Sequence, residues 1–261
     1  MFGRRKVAAL VAEFLGAGVL TLAVLSVQRS TIGVPYFVAI GAGLTIALIT
    51  FAFGNVSGGH ANPAITLAMW TARKIGTLTA ALYIVVQLLG AWAAYGLYTY
   101  FVNSDLTKIG GGYSGRVLVA EAVGAFIFAL GFGVVAFRNS FNTGARAAVL
   151  SVTFTVGIII AAASGIGLIN PAVAFGIRAW DIFGSMGWGT YLLGPVLGAV
   201  IGVNLYGLLF APASADEESV VVEEVVVAAA APARKTAVVA AAKKTSTKKA
   251  SAKKKPAARK K

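Results

Sequence analysis

Two short stretches hold the residues best suited to meeting a solute: Ser57-Gly58-Gly59-His60-Ala61-Asn62-Pro63-Ala64 and Ser164-Gly165-Ile166-Gly167-Leu168-Ile169-Asn170-Pro171-Ala172. In each, Asn is a favoured helix N-cap, Pro is preset for the first helical position, and the preceding glycines permit a tight non-helical approach. The triplets Asn62, Pro63, Ala64 and Asn170, Pro171, Ala172 therefore mark helix starts. The Asn amides can donate hydrogen bonds to a passing oxygen, and the carbonyls of residues 58–61 and 165–169 can accept them. That is the chemistry of passage, not of bond-making. With no cysteine, one histidine (His60) and no phosphate-binding Gly-Lys loop, the chain offers no thiol nucleophile, no thiolate or all-histidine metal site and no phosphate cradle. Neither an enzyme nor a cofactor is expected.

Two carboxylates complete the set. Glu13 and Glu121 each stand 49 residues before an Asn of the two triplets. Both fall inside apolar runs, where an ionisable residue costs a few kcal/mol unless it has buried partners. A helix-to-helix polar contact and a proton relay are both open to such a residue.

The elements that must position these groups follow from composition. Of 261 residues, 58% are hydrophobic and 12% charged, too little polar surface for a domain that faces water. Apolar runs near the roughly 18 to 20 residues that cross a bilayer occur at residues 7–27, 36–53, 78–101, 116–137, 147–163 and 187–210. Comparing the chain with itself at an offset of 108 residues aligns Val11-Ala12-Glu13 with Val119-Ala120-Glu121, Gly16-Ala17 with Gly124-Ala125, and the two Asn-Pro-Ala triplets with each other. Tyr83 falls on Tyr191, Gly90-Ala91 on Gly198-Ala199 and Tyr98 on Tyr206 in the same register. Each unit, residues 7–101 and 115–211, reads as span, span, interrupted short segment, span. An odd number of spans per unit makes the second copy enter the membrane from the opposite side, and interrupted segments at matching places in two inverted halves point to a site near the midplane. The first short helix should run over residues 63–73, about half of a 30 Å hydrocarbon core at 1.5 Å per residue.

Lys and Arg flank the spans unequally: Arg4, Arg5, Lys6, Arg73, Lys74, Arg138 and Arg146 on one side, against Arg29, Lys108, Arg116 and Arg178 on the other. Both termini are therefore expected in the cytoplasm, with residues 1–6 as a short N-terminal segment. The formal charge is +14, but residues 212–261 alone hold 12 Lys/Arg against 5 Asp/Glu. This Lys/Ala-rich stretch lacks the apolar surface to fold and reads as a disordered tail drawn to anionic lipid headgroups, at up to about 1 kcal/mol per basic residue near the surface. No aromatic residue interleaves with its lysines, which argues against nucleic acid as a partner.

The Ser-Gly-Gly-His-x-Asn-Pro-Ala-x-Thr stretch, the second Asn-Pro-Ala and the Gly-Pro-x-x-Gly-Ala of the last span resemble the major intrinsic protein (aquaporin) family over about residues 7–211. The resemblance implies an all-α membrane protein of six spans and two re-entrant half-helices in an hourglass, a pore in every subunit and a homotetramer. It implies that Glu13 and Glu121 hold the re-entrant loops, and that His60 sits at the cytoplasmic vestibule. Two half-helix N-termini meeting at the centre would put about half a positive charge each at the middle of the pore, excluding protons and cations while sparing neutral solutes. Carried over by distance from the two motifs, the family's outer filter falls on Ala42, Ile158, Gly167 and Val173. Val173 stands where water and glycerol channels carry Arg, so a wider, more hydrophobic constriction is expected. Arg178, five residues on, turns about 140° away around the half-helix and marks the outer mouth without replacing that Arg. The expected permeants are water and small neutral solutes of the glycerol, urea, ammonia and hydrogen peroxide class. A membrane scaffold that recruits anionic partners through its tail, and an ion-permeable pore, are the alternatives.

Overall fold

A computed structural model describes residues 3–29, 35–109, 112–138, 140–180 and 187–212. The assignments made above for the C-terminal tail lie outside the described residues. The chain divides into two units, Met1–Ala211 and Pro212–Lys261, and only the first is described in structural terms.

All regular structure in the described residues is helical: α1 (Arg4–Gln28), α2 (Pro35–Phe53), α3 (Pro63–Thr71), α4 (Thr77–Val102), α5 (Gly115–Phe137), α6 (Thr143–Ala161), α7 (Pro171–Gly176) and α8 (Gly194–Leu209), the last preceded by a π-helical turn at Gly189–Leu193. Six segments are long and apolar enough to cross a membrane, with α3 and α7 as the short ones. The 108-residue offset is exact for α2 and α6 and holds within three residues for α1 and α5.

Burial is arranged for a lipid solvent. The interior holds large apolar residues such as Phe128, Phe154 and Leu20 together with small and polar ones such as Ala17, Ala91, Glu13, Gln87, Asn62 and Asn170, whereas Leu44, Trp92, Tyr100 and Leu208 face outward. In hydrocarbon, apolar side chains gain nothing by turning inward, so close backbone approach at small residues holds the helices together. A Cβ built at Gly90 would lie 2.1 Å from the Phe14 carbonyl oxygen, and one at Gly198 would lie 1.9 Å from that of Ala122. These pairs are related by the same offset, so the α1–α4 and α5–α8 crossings are one packing solution used twice.

The sequence places the span boundaries well except at α6, which starts at Thr143, four residues before the expected residue 147. Gly144 and Arg146 interrupt the apolar run there, but Asn142 Oδ1 accepts from the Ala145 N–H at 2.8 Å and caps the extra turn. The π turn before α8 was not foreseen. Pro195 lacks an N–H and its ring crowds the carbonyl four residues back, at Tyr191 within that turn, so the backbone widens there.

Candidate functional site

Each short helix begins as its sequence dictates. Asn62 is extended, at φ −155°, and its Oδ1 accepts from the Ala64 N–H at 2.9 Å; Pro63 takes the first helical position. Asn170 repeats this with Ala172 at 2.9 Å and Val173 at 3.4 Å. The residue before each Asn, Ala61 and Ile169, is left-handed at φ 45°. That turn reverses the chain and brings the two motifs face to face.

Their contact is reciprocal. Asn62 Nδ2 donates to the Ile169 carbonyl at 3.0 Å, and Asn170 Nδ2 donates to the Ala61 carbonyl at 2.8 Å. An amide nitrogen carries two protons, so each Asn spends its oxygen on its own helix and one N–H on the opposite loop. The second N–H of each has no protein acceptor among the described residues.

The carboxylates hold this arrangement from behind. Glu13 accepts from the backbone N–H groups of His60 at 2.9 Å and Ala61 at 2.7 Å. Glu121 accepts from those of Leu168 at 2.8 Å and Ile169 at 2.5 Å, the same positions one repeat later. Each carboxylate thus binds two successive backbone N–H groups of the loop before its Asn. Glu13 binds two further donors, Ser57 Oγ at 2.6 Å and Gln87 Nε2 at 2.7 Å. Their counterparts in the second repeat are Gly165 and Pro195, which have no side-chain donor. The sequence shows Ser57 only as the first residue of its motif and gives Gln87 no role, although a Gln in the middle of an apolar span is itself a signal that a buried partner awaits it.

His60 is 2% exposed. Its Nδ1 lies 3.2 Å from Thr66 Oγ1, and its ring meets Tyr83 and Phe132 edge-on. It lines a cavity of about 90 Å³ with Met69, Phe132, Arg146 and Leu150, next to the C-terminal end of α5 and the start of α6. Arg146, counted in the sequence only as a flanking charge, reaches the same cavity.

Ala42, Ile158 and Val173 lie in one buried apolar cluster, and each is 1% exposed. Gly167, at φ 70°, brings the loop so close that a Cβ would stand 2.6 Å from the Ile158 carbonyl oxygen. Small residues at these places were expected to leave a wide opening. At Gly167 the backbone lies against Ile158, where a side chain would not fit. Arg178 is held elsewhere, its guanidinium donating to Tyr95 Oη at 3.2 Å and lying 5.7 Å from the ring centroid. The short helices also differ from expectation in length: α3 ends at Thr71, with Arg73 left-handed beyond it, and α7 has six residues against nine in α3.

Comparison with known proteins agrees with this architecture. Residues 4–206 match the family model described as major intrinsic protein. The chain is 33% identical over 186 residues to aquaporin-5 of Ovis aries, covering 68% of this chain and 70% of that one. It is 32% identical over 204 residues to the glycerol uptake facilitator protein-like 6 of Lactiplantibacillus plantarum, covering 73% and 93%. The aquaglyceroporin of Plasmodium falciparum superposes with a TM-score of 0.64 at 22% identity, over 79% of this chain and 98% of that one, and so shares the fold. Reciprocal Asn-Pro-Ala loops, their two carboxylate anchors and the match along the whole helical unit lead to one assignment: the chain belongs to the major intrinsic protein family.

Proposed function

We propose that the protein is a passive membrane channel for water and small uncharged solutes, with a path running between Asn62 and Asn170. The observation that carries this reading is the reciprocal tie of the two motifs, Asn62 to Ile169 and Asn170 to Ala61. It brings the N-termini of α3 and α7 together and leaves one amide N–H on each Asn for a passing oxygen. Helix N-termini carry partial positive charge, which disfavours cations and protons there while a neutral molecule passes. Relatives named as an aquaporin and as a glycerol uptake facilitator support both water and small polyols as permeants.

In this reading Ala42, Ile158, Gly167 and Val173 form the outer constriction, His60 stands at the cytoplasmic vestibule, and both termini are cytoplasmic. The subunit assembles as a homotetramer, as the family resemblance implies, and the Lys-rich residues 243–261 attract anionic headgroups.

Replacing Val173 by Arg tests the constriction. Val173 is 1% exposed, so a longer side chain must either project into the path or displace its neighbours, at about 1–3 kcal/mol. In proteoliposomes, Val173→Arg should slow glycerol and urea uptake about tenfold or more, and water flux less. Equal glycerol flux in parent and variant would place the narrow point elsewhere.

A further inference from the structure

We propose that Arg146 is a charge-selecting residue of this channel, placing its fixed positive charge at the inner end of the path. The inference rests on the pore path described above and assigns it a residue that the sequence pattern did not.

Among the described residues, Arg146 is the only one with a permanent charge lining the cavity of about 90 Å³ at the start of α6. Its guanidinium is poorly satisfied by the protein. Nη2 reaches the Val135 carbonyl only at 3.5 Å, and the buried Nε has no hydrogen-bond partner. A guanidinium has five N–H donors, so most of this one's capacity is left for whatever occupies the cavity. No carboxylate among the described residues lines the cavity to neutralise it, and Glu13, reached through His60, is engaged by four donors of its own. His60 adds a second polar group. Its Nδ1 is engaged by Thr66, while Nε2 has no protein partner among the described residues and lies beside Gly58, another lining residue.

The internal repeat shows that this polarity is confined to one end. Shifted by 108 residues, Arg146 corresponds to Val38 and His60 to Leu168, and α6 corresponds to α2 in the same register. Val38 and Leu168 are buried and apolar. Ala42, Ile158 and Val173 are apolar as well, and Arg178 is committed to Tyr95. One pseudo-symmetric half thus presents a cation and an imidazole where the other presents two aliphatic side chains.

A monovalent cation about 6 Å from the guanidinium, at an effective dielectric constant of about 20, is disfavoured about a hundredfold. An uncharged solute is not, and its oxygen gains an N–H donor. Arg146 thereby adds a full charge, at the end of the path opposite the apolar size constriction, to the partial charges of the α3 and α7 N-termini.

The test uses full-length protein in liposomes and measures sodium flux and osmotic water flux on the same vesicles for the parent, Arg146→Leu, Arg146→Gln and Arg146→Lys. Both neutral variants should pass sodium about tenfold or more faster than the parent with water flux within about twofold. Arg146→Lys, which keeps the charge, should exclude sodium as the parent does. Sodium exclusion retained in Arg146→Leu and Arg146→Gln, with water flux intact, would overturn the proposal. Loss of water flux in both neutral variants would overturn it too, by making Arg146 a structural support. A parent with no water flux would remove the pore itself, and this inference with it.

Discussion

Glu13→Ala is expected to reduce solute flux at least tenfold and to lower thermal stability in detergent more than the matching change at Glu121. The Glu13 carboxylate accepts four hydrogen bonds, from Ser57, His60, Ala61 and Gln87, and is 1% exposed. Alanine leaves these buried donors without an acceptor, at about 1–3 kcal/mol each before relaxation. A total on the order of 4 kcal/mol is a large share of the roughly 5–15 kcal/mol that separates folded from unfolded protein in typical domains. The loss falls on function as well, because the Ala61 N–H held by Glu13 belongs to the same residue whose carbonyl receives Asn170 Nδ2. Without the anchor that carbonyl is free to turn, and the reciprocal tie loosens. Among the described residues Glu121 holds only Leu168 and Ile169, so Glu121→Ala should cost less stability while still reducing flux. Melting temperatures and glycerol uptake measured on both variants check the ranking; a Glu13→Ala protein with the parent's stability and flux would show that the loop does not depend on it.

Gly198→Leu should prevent assembly of the second repeat. The nearest atoms to a Cβ at this position are backbone, the Ala122 carbonyl oxygen at 1.9 Å and its carbon at 2.7 Å. No rotamer change relieves such a contact, so α5 and α8 must separate and lose the close packing that stands in for a hydrophobic drive in lipid. Even Gly198→Ala is placed at or above the upper end of the usual cost of overpacking, about 3 kcal/mol. Gly96 is the control. It lies on α4 with nothing within 4 Å of a built Cβ, so Gly96→Ala should be neutral or slightly stabilising, given the better helix propensity of Ala. Size-exclusion profiles and melting temperatures of the three variants separate the cases; a monodisperse Gly198→Leu protein with parental stability would contradict the close crossing.

Much of this could be read from the chain because the membrane simplifies the code. A span must be long and apolar, so α1, α2, α4, α5 and the last span announce themselves, and the 108-residue repeat fixes which pieces correspond. The Asn-Pro-Ala starts were legible because capping is local: each Asn binds its own helix within three residues. What stayed hidden depends on contacts distant in sequence. Gln87 reaches Glu13 across 74 residues, and nothing local distinguishes it from a polar residue facing another helix. Gly167 brings its backbone against Ile158 and Ala162, whereas the sequence records only that a side chain is missing. Arg146 looked like one more flanking charge because its exposure depends on how the ends of α5 and α6 meet around the cavity. The π turn at Gly189–Leu193 came from Pro195, which was visible but could equally have kinked the helix.

The central claim is that a path for uncharged solutes passes between Asn62 and Asn170. Stopped-flow light scattering on proteoliposomes of the full-length chain, following osmotic water shrinkage and then glycerol and urea uptake, tests it most directly. The account predicts water flux well above that of empty liposomes, accompanied by uptake of at least one of the two larger solutes. Water, glycerol and urea rates all equal to those of empty liposomes, from protein shown to be folded and inserted, would contradict it.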